Sequence, residues 1–306
     1  MNTAFTNSKI LKGVDLRTNH ALARYTSFQV GGPADFFAKP STREELASLI
    51  RIARKEGLPI TVLGGGTNTL ISDQGIRGLV LVLTRLKATP QLEPGLAKDQ
   101  TKLGALAGDS LAAICRFAME NSLSGLEWAA GIPGTIGGAV MMNAGSGKKE
   151  IGHLIESVEV FDLNTLSWKT IKAKNLNFRY RSLELEDTIL IKAWLALTPT
   201  DPGQIQKAHQ AHLEAKRTSQ PVSQASGGCF FKNPSSHPSA GRLIEEAGLK
   251  GYTLNGAMVS ALHANFIINY DNATCKDILA LKQVIQDQVY KKFGIKLKSE
   301  VKAIGN

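Results

Sequence analysis

Two glycine-rich stretches constrain this chain more than any other feature. The first, Gly64-Gly65-Gly66-Thr67-Asn68, follows the apolar run Leu58 to Leu63 without a spacer. The second, Gly131-Ile132-Pro133-Gly134-Thr135-Ile136-Gly137-Gly138-Ala139, places four glycines within eight residues. Without a Cβ, glycine lets backbone amides approach an anion and lets backbone pack against a flat ring. Either stretch alone is equally well read as a tight turn or a packing segment. The first departs from the dinucleotide fingerprint, because Thr69 stands where a third glycine belongs, and it lacks the Lys-Ser/Thr pair of a P-loop. Together, about 65 residues apart, they suit a ligand with an elongated diphosphate, the shape of a dinucleotide.

Around these stretches the pattern is mixed helix and strand. After Pro40, the residues Leu46, Leu49, Ile50 and Ala53 form a helical stripe, with Ser41 and Glu44 spaced as a capping box and Gly57 as terminator. Leu58 to Leu63 and Leu79 to Leu83 read as strands, and Ser110 to Asn121 as a helix capped by Asp109 or Ser110. Strand-like runs dominate Val158 to Leu197. Helices follow at Gly203 to Arg217, at Ser239 to Ala247 closed by Gly248, and at Thr274 to Phe293 closed by Gly294. Ile295 to Val301 alternates apolar and charged residues like a half-buried last strand. Composition changes place domain boundaries near residues 86 and 200, giving units 1–86, 87–200 and 201–306.

The 306 residues are 43% hydrophobic, and no apolar run is long enough to span a bilayer. Met1 to Asn19 lacks the apolar block of a signal peptide, so a cytoplasmic protein is expected. Cys115, Cys229 and Cys275 are few, odd in number and without metal-ligand spacing, which fits a reducing compartment. His209 and His212 have no carboxylate at ligand spacing, so no metal is expected. The formal charge of +10 attracts polyanions, but the basic residues are scattered and form no nucleic-acid motif. A phosphate-rich small molecule accounts for the charge at least as well as nucleic acid does.

Three further segments hold chemically capable side chains. In Tyr180-Arg181-Ser182, Arg181 is either an ordinary surface arginine or a two-pronged clamp for a carboxylate. In Gly227-Gly228-Cys229-Phe230-Phe231-Lys232-Asn233-Pro234, Cys229 is either a buried inert cysteine or an accessible thiol beside a cation. A Cys–His nucleophile there requires a distant partner such as His263. Glu300 shares a strand face with Lys296 and Lys298, the ordinary place for a solvated charge.

In this order, the segments resemble the UDP-N-acetylenolpyruvoylglucosamine reductase family. The resemblance extends from about Thr26 to Val301. It is carried by Thr26 with Val30-Gly31-Gly32-Pro33-Ala34-Asp35, Leu63 to Asn68 with Asp73 and Gly75, and Gly131 to Asn143. Tyr180-Arg181-Ser182, Gly228 to Pro234, Ala240 to Gly251, and Val259-Ser260 with His263-Ala264-Asn265-Phe266 complete it.

The resemblance implies an α+β protein: an FAD-binding region of the vanillyl-alcohol-oxidase type in two subdomains, followed by an α+β substrate-binding domain. It also implies FAD held non-covalently by Gly64, Gly65, Gly66, Thr67, Asn68, Gly131, Pro133, Gly134, Gly137, Gly138 and Ala139. NADPH is the implied hydride donor and a UDP-sugar the implied substrate. The family's catalytic trio falls on Arg181, Cys229 and Glu300, with Lys232 and Asn233 as candidates for holding substrate. Three departures stand out: Cys229 and Thr67 occupy positions where the family usually has serine, and Met258 one that is often polar.

Overall fold

The computed structural model describes residues 14–235 and 237–305, which form two compact units. The first comprises the chain up to Arg17, Phe37–Gly65 and Leu79–Ala215; the second comprises Thr18–Phe36, Gly66–Gly78 and the chain from Lys216 onward. The chain passes from one to the other inside the strands Pro33–Ala38 and Ile76–Val82 and within the first glycine run.

In the first unit, the helix Arg43–Lys55 buries Leu46, Leu49, Ile50 and Ala53, together with Ala47 and Ile52. Burying each large aliphatic residue contributes about 1.5–3 kcal/mol. Its cap differs from the capping box expected of Ser41 and Glu44. Thr42 is the N-cap and accepts the Glu45 amide at 3.1 Å, while Glu45 reaches back to the Ser41 amide at 2.7 Å. Thr42 thus caps the helix, but Glu45 bonds to the residue before the cap, so the reciprocal box expected of Ser41 and Glu44 does not form.

Behind this helix, Ile60–Leu63 pairs in parallel with Leu79 to Val82. The unit also contains an antiparallel sheet ordered Ser167–Lys172, Ile155–Asp162, Thr188–Pro199, Thr101–Leu106 and Gln91–Pro94, with Leu123–Ser124 paired to the end of the long central strand. Val158, Val160, Ile191, Ala193 and Leu195 are fully buried.

In the second unit, the helix Cys275–Phe293 presents Ile278, Leu281, Ile285 and Val289 at helical spacing to a core that includes Phe28, Leu70, Phe230, Phe231 and Val259. Its start is doubly fixed. Thr274 and Asp277 form a reciprocal capping box, and Asp73 accepts the Cys275 and Lys276 amides at 2.8 and 3.0 Å. Gly294 ends it at φ +70°, a left-handed conformation that costs glycine little. An antiparallel sheet runs Ser226–Cys229, Phe266–Asn269, Ala257–Val259, Thr253–Leu254, and the strand Lys302–Ile304 lies parallel to Thr69–Ile71.

The last strand expected at Ile295 to Val301 is instead an extended segment with one isolated bridge, Ser299 to Phe231, and the regular strand begins at Lys302. The alternation was a true sign of one-sided burial: Leu297 and Val301 are buried. The segment pairs too briefly to continue as a ladder.

Candidate active site

The two glycine stretches meet inside the first unit. A Cβ added to Gly64 would collide with the Thr135 hydroxyl, so no side chain fits where the stretches adjoin. Gly65 belongs to the same unit, while Gly66, Thr67 and Asn68 fall in the second. The second stretch opens as the expected turn, with Gly131 and Gly134 at φ +73° and +117°.

Beyond Thr135, however, it is a short helix, Ile136–Met141. The expectation of open amides fails for Gly137, Gly138 and Ala139. These donate to Ala107 O at 3.0 Å, Thr135 Oγ1 at 3.3 Å and Thr135 O at 2.8 Å. The Thr135 cap takes the Gly138 amide, helical bonding takes that of Ala139, and Ala107 O, outside the helix, takes that of Gly137. What the glycines supply instead is close approach: a Cβ on Gly137 would lie 2.8 Å from that of Ala107. Ile136 N to Asp109 O (2.9 Å) and Leu111 N to Gly134 O (3.1 Å) fix the stretch to the turn preceding the helix Leu111–Glu120. Burial within that turn raises the Asp109 pKa, against the amides that bond to it.

Also in the first unit, Arg181 sits in a polar cluster that sequence reading missed. Its Nη2 donates to Gly145 O at 3.0 Å, and its Nη1 lies 3.8 Å from Glu150 Oε1. Its guanidinium stands 4.9 Å from the Tyr180 ring centroid. Glu150 Oε2 accepts from Asn143 Nδ2 at 2.7 Å; the same amide donates to Arg179 O at 3.0 Å, and Asn143 Oδ1 accepts the Gly152 amide at 3.0 Å. Asn143 is only 2% exposed. Asn143 lay within the glycine-rich segment carrying the resemblance, but nothing in the sequence links Glu150 to Arg181, 31 positions away.

The second unit brings Cys229 and Glu300 onto neighbouring backbone. Cys229 ends the strand Ser226–Cys229 opposite Phe266. The next residue, Phe230, accepts the Glu300 amide at 2.8 Å, and Lys232 N donates to Lys298 O at 2.8 Å. Asn265, 3% exposed, fixes this turn from the other side. It accepts the Phe231 amide at 2.9 Å and donates to Phe231 O at 2.8 Å, while its carbonyl accepts the Phe230 amide at 2.7 Å. Asn68 Nδ2 donates to Glu300 O at 3.2 Å, and Asn68 O accepts the Lys302 amide at 3.0 Å.

Cys229 is half-buried and in no disulfide, whereas Cys115 and Cys275 are buried. Burial, then the neighbouring Asp73 charge, pushes the Cys275 thiol up to about 11. His263, the alternative thiol partner, uses Nδ1 to accept the Asn265 amide at 3.2 Å, and burial lowers its pKa. Asn233 Oδ1 accepts the Ala240 amide at 3.0 Å, fastening the start of the helix Ala240–Glu246.

Among the described residues there is no group of three or more His, Cys, Asp and Glu side chains able to hold a metal, and no helix long and apolar enough to cross a membrane. Where the stretches adjoin, Gly64 has no room for a Cβ and Gly131 and Gly134 take positive φ, so backbone lines this place, the kind of surface a diphosphate can approach.

Residues 34–165 match the family model described as an FAD binding domain, and residues 220–304 match that of the UDP-N-acetylenolpyruvoylglucosamine reductase C-terminal domain. The chain is therefore an FAD-dependent oxidoreductase. The UDP-N-acetylenolpyruvoylglucosamine reductase of Caldanaerobacter subterraneus is 42% identical over 97% of this chain and 96% of its own; that of a Synechococcus strain (JA-3-3Ab) is 41% identical over 93% and 90%. The crystal structure of the Thermus caldophilus reductase superposes with a TM-score of 0.78 at 33% identity, covering 95% of this chain and 99% of that one. The chain belongs to the UDP-N-acetylenolpyruvoylglucosamine reductase family. Its fold is α+β, with an FAD binding domain and the reductase family's C-terminal domain.

Proposed function

We propose that this chain reduces the enolpyruvyl ether of UDP-N-acetylglucosamine to UDP-N-acetylmuramate, the reductive step of peptidoglycan synthesis, with NADPH as hydride source. FAD, when bound, would supply the hydride chemistry between NADPH and the alkene, held non-covalently by the stretches Gly64 to Asn68 and Gly131 to Ala139. In the proposed arrangement residues 1–86 and 87–200 hold this cofactor and residues 201–306 the UDP-sugar. The +10 charge serves a diphosphate-rich substrate rather than nucleic acid. The reaction takes place in the cytoplasm.

The roles of the side chains follow from where charge develops. As hydride arrives at one alkene carbon, electron density moves through the other onto the carboxylate. Arg181 offers that carboxylate a bidentate cation, and a protonated Glu300 donates to the enolate-like species. Cys229 then passes its proton to the carbon beside the carboxylate, completing the addition of one hydride and one proton. A thiol has a reference pKa near ~8.5, far below an alcohol's, so cysteine serves where relatives usually carry serine. Lys232 and the amide NH2 of Asn233 are the proposed substrate contacts. The observation that carries this assignment is the bond from the Glu300 amide to Phe230 O, which sets a carboxyl and a thiol on adjoining backbone across 71 residues of sequence.

The test is direct. With NADPH and UDP-N-acetylglucosamine enolpyruvate, the purified holoenzyme loses nicotinamide absorbance in step with UDP-N-acetylmuramate formation. If NADPH is consumed only when oxygen is present, and no muramate appears, the reading is wrong.

A further inference from the structure

Arg181 and Asn143 both adopt left-handed backbone conformations, with φ of +56° and +41°. Outside glycine this region is sparsely used, and a residue held there is over-determined by its surroundings. Both belong to the cluster described above. Gly145 O takes one end of the guanidinium at 3.0 Å, and the Glu150 carboxylate stands 3.8 Å from the other. That carboxylate is itself turned by Asn143, whose amide meets Oε2 at 2.7 Å and whose remaining bonds run to the backbone of Gly152 and Arg179. A Cβ added to Gly145 would come within 3.1 Å of Arg181 Nη1 and 2.9 Å of Glu150 Cγ, so the cluster closes around a position with no side chain. Glu150 and Arg181 are a quarter exposed or less, where an ion pair fixes an angle better than it does in open water.

We infer that Glu150, locked in rotation by Asn143, is a positioning residue that sets the Arg181 guanidinium at the angle needed to engage the substrate carboxylate. The inference rests on the role given to Arg181 above. Glu150 acts through the arginine and does not touch substrate. An exposed ion pair would leave a long arginine side chain several rotamers. Here a backbone carbonyl accepts from it at one end and a buttressed carboxylate stands 3.8 Å from the other, supports that restrict its direction.

The experiment compares holoenzymes of the parent, Glu150→Gln, Glu150→Asp, Arg181→Ala and the Glu150→Gln/Arg181→Ala double variant. Turnover, KM for the enolpyruvyl UDP-sugar, flavin content and thermal unfolding are measured for each. Glu150→Gln keeps an acceptor for Asn143 but loses the charge facing Arg181. It is expected to lower kcat by about 10²-fold, the scale of a misdirected catalytic group, with flavin content and melting temperature unchanged. Glu150→Asp retains the charge and is expected to recover part of the loss. The double variant is expected to turn over no more slowly than Arg181→Ala alone, since a residue that acts through the arginine has nothing left to position.

Normal kcat in Glu150→Gln overturns the inference. So does a double variant slower than Arg181→Ala by the full single-variant factor, because Glu150 then acts independently. If Glu150→Gln does not fold, the same comparison on Glu150→Asp decides, full kcat there excluding a geometric requirement. Normal turnover in Arg181→Ala is a different failure, one of the arginine assignment itself.

Discussion

The surroundings of Arg181 and of Cys229 are built by different means. Around Arg181 side chains count as well as backbone: Gly145 O accepts from it, and the Glu150 carboxylate 3.8 Å away is turned by the Asn143 amide, all within 39 residues of sequence. Cys229 and Glu300 are held by backbone. The Phe230 and Lys232 main chain bonds to 298–301, with the side-chain amides of Asn265 and Asn68 bracing that backbone. Side-chain clusters depend on the identity of each member and are sensitive to conservative change. Backbone pairing is indifferent to most side chains along it and sensitive only where a buried polar group completes it.

This contrast can be tested in steps of decreasing size. The largest effect belongs to the thiol itself. Cys229→Ala is expected to cut muramate formation by about 10²–10⁴-fold, the usual worth of a general acid, while Cys229→Ser keeps measurable turnover. Product formation by quenched-flow chromatography decides, and an Ala variant at parental rate would remove Cys229 from the reaction.

The next step is structural. Asn265→Ala strands both polar groups of Phe231 in a buried place, which costs about 2–4 kcal/mol. Denaturant unfolding should show the loss, with the flanking Lys298→Ala staying within about 0.5 kcal/mol, as expected of a surface substitution. Equal losses for the two would erase the distinction drawn here.

The smallest effect is in pH. Burial holds the His263 pKa below its ordinary 6.5. The unfolded chain therefore binds the proton more readily, and stability present above about pH 6.5 declines as the pH falls through that value. A melting temperature that drops from pH 7.5 to 5.5, with a shallower drop in His263→Gln, is the expected pattern. An unchanged slope would mean that other groups carry the acid sensitivity.

Local patterns made much of the fold legible. The stripe Leu46, Leu49, Ile50, Ala53 and the terminator Gly294 are decided within a few residues, by helical period and by a conformation that glycine tolerates. Thr42 caps the helix in place of Ser41 because the two hydroxyls are equivalent acceptors one position apart. The helix at Gly137 to Ala139 was missed because glycine content argues for a turn, whereas the Thr135 cap and the neighbouring Ala107 carbonyl decide otherwise.

Ile295 to Val301 shows the same limit. Its alternation reports burial, but whether it becomes a ladder depends on how far Phe231 and its neighbours run alongside. In the site, residue types marked Arg181, Cys229 and Glu300 as chemically capable, and family order assigned them roles. Glu150 had no such mark: a glutamate in a charged loop looks the same whether it faces water or a guanidinium.

One pairing also bears on how the molecule is made. The strand Lys302–Ile304 lies in register beside Thr69–Ile71, so a ribosome must deliver nearly the entire polypeptide before the early segment finds its partner. The first unit, whose residues end at Ala215, faces no such wait, and nascent chains stalled near that point should already resist protease there while Thr18–Phe36 and Gly66–Gly78 remain open to cleavage.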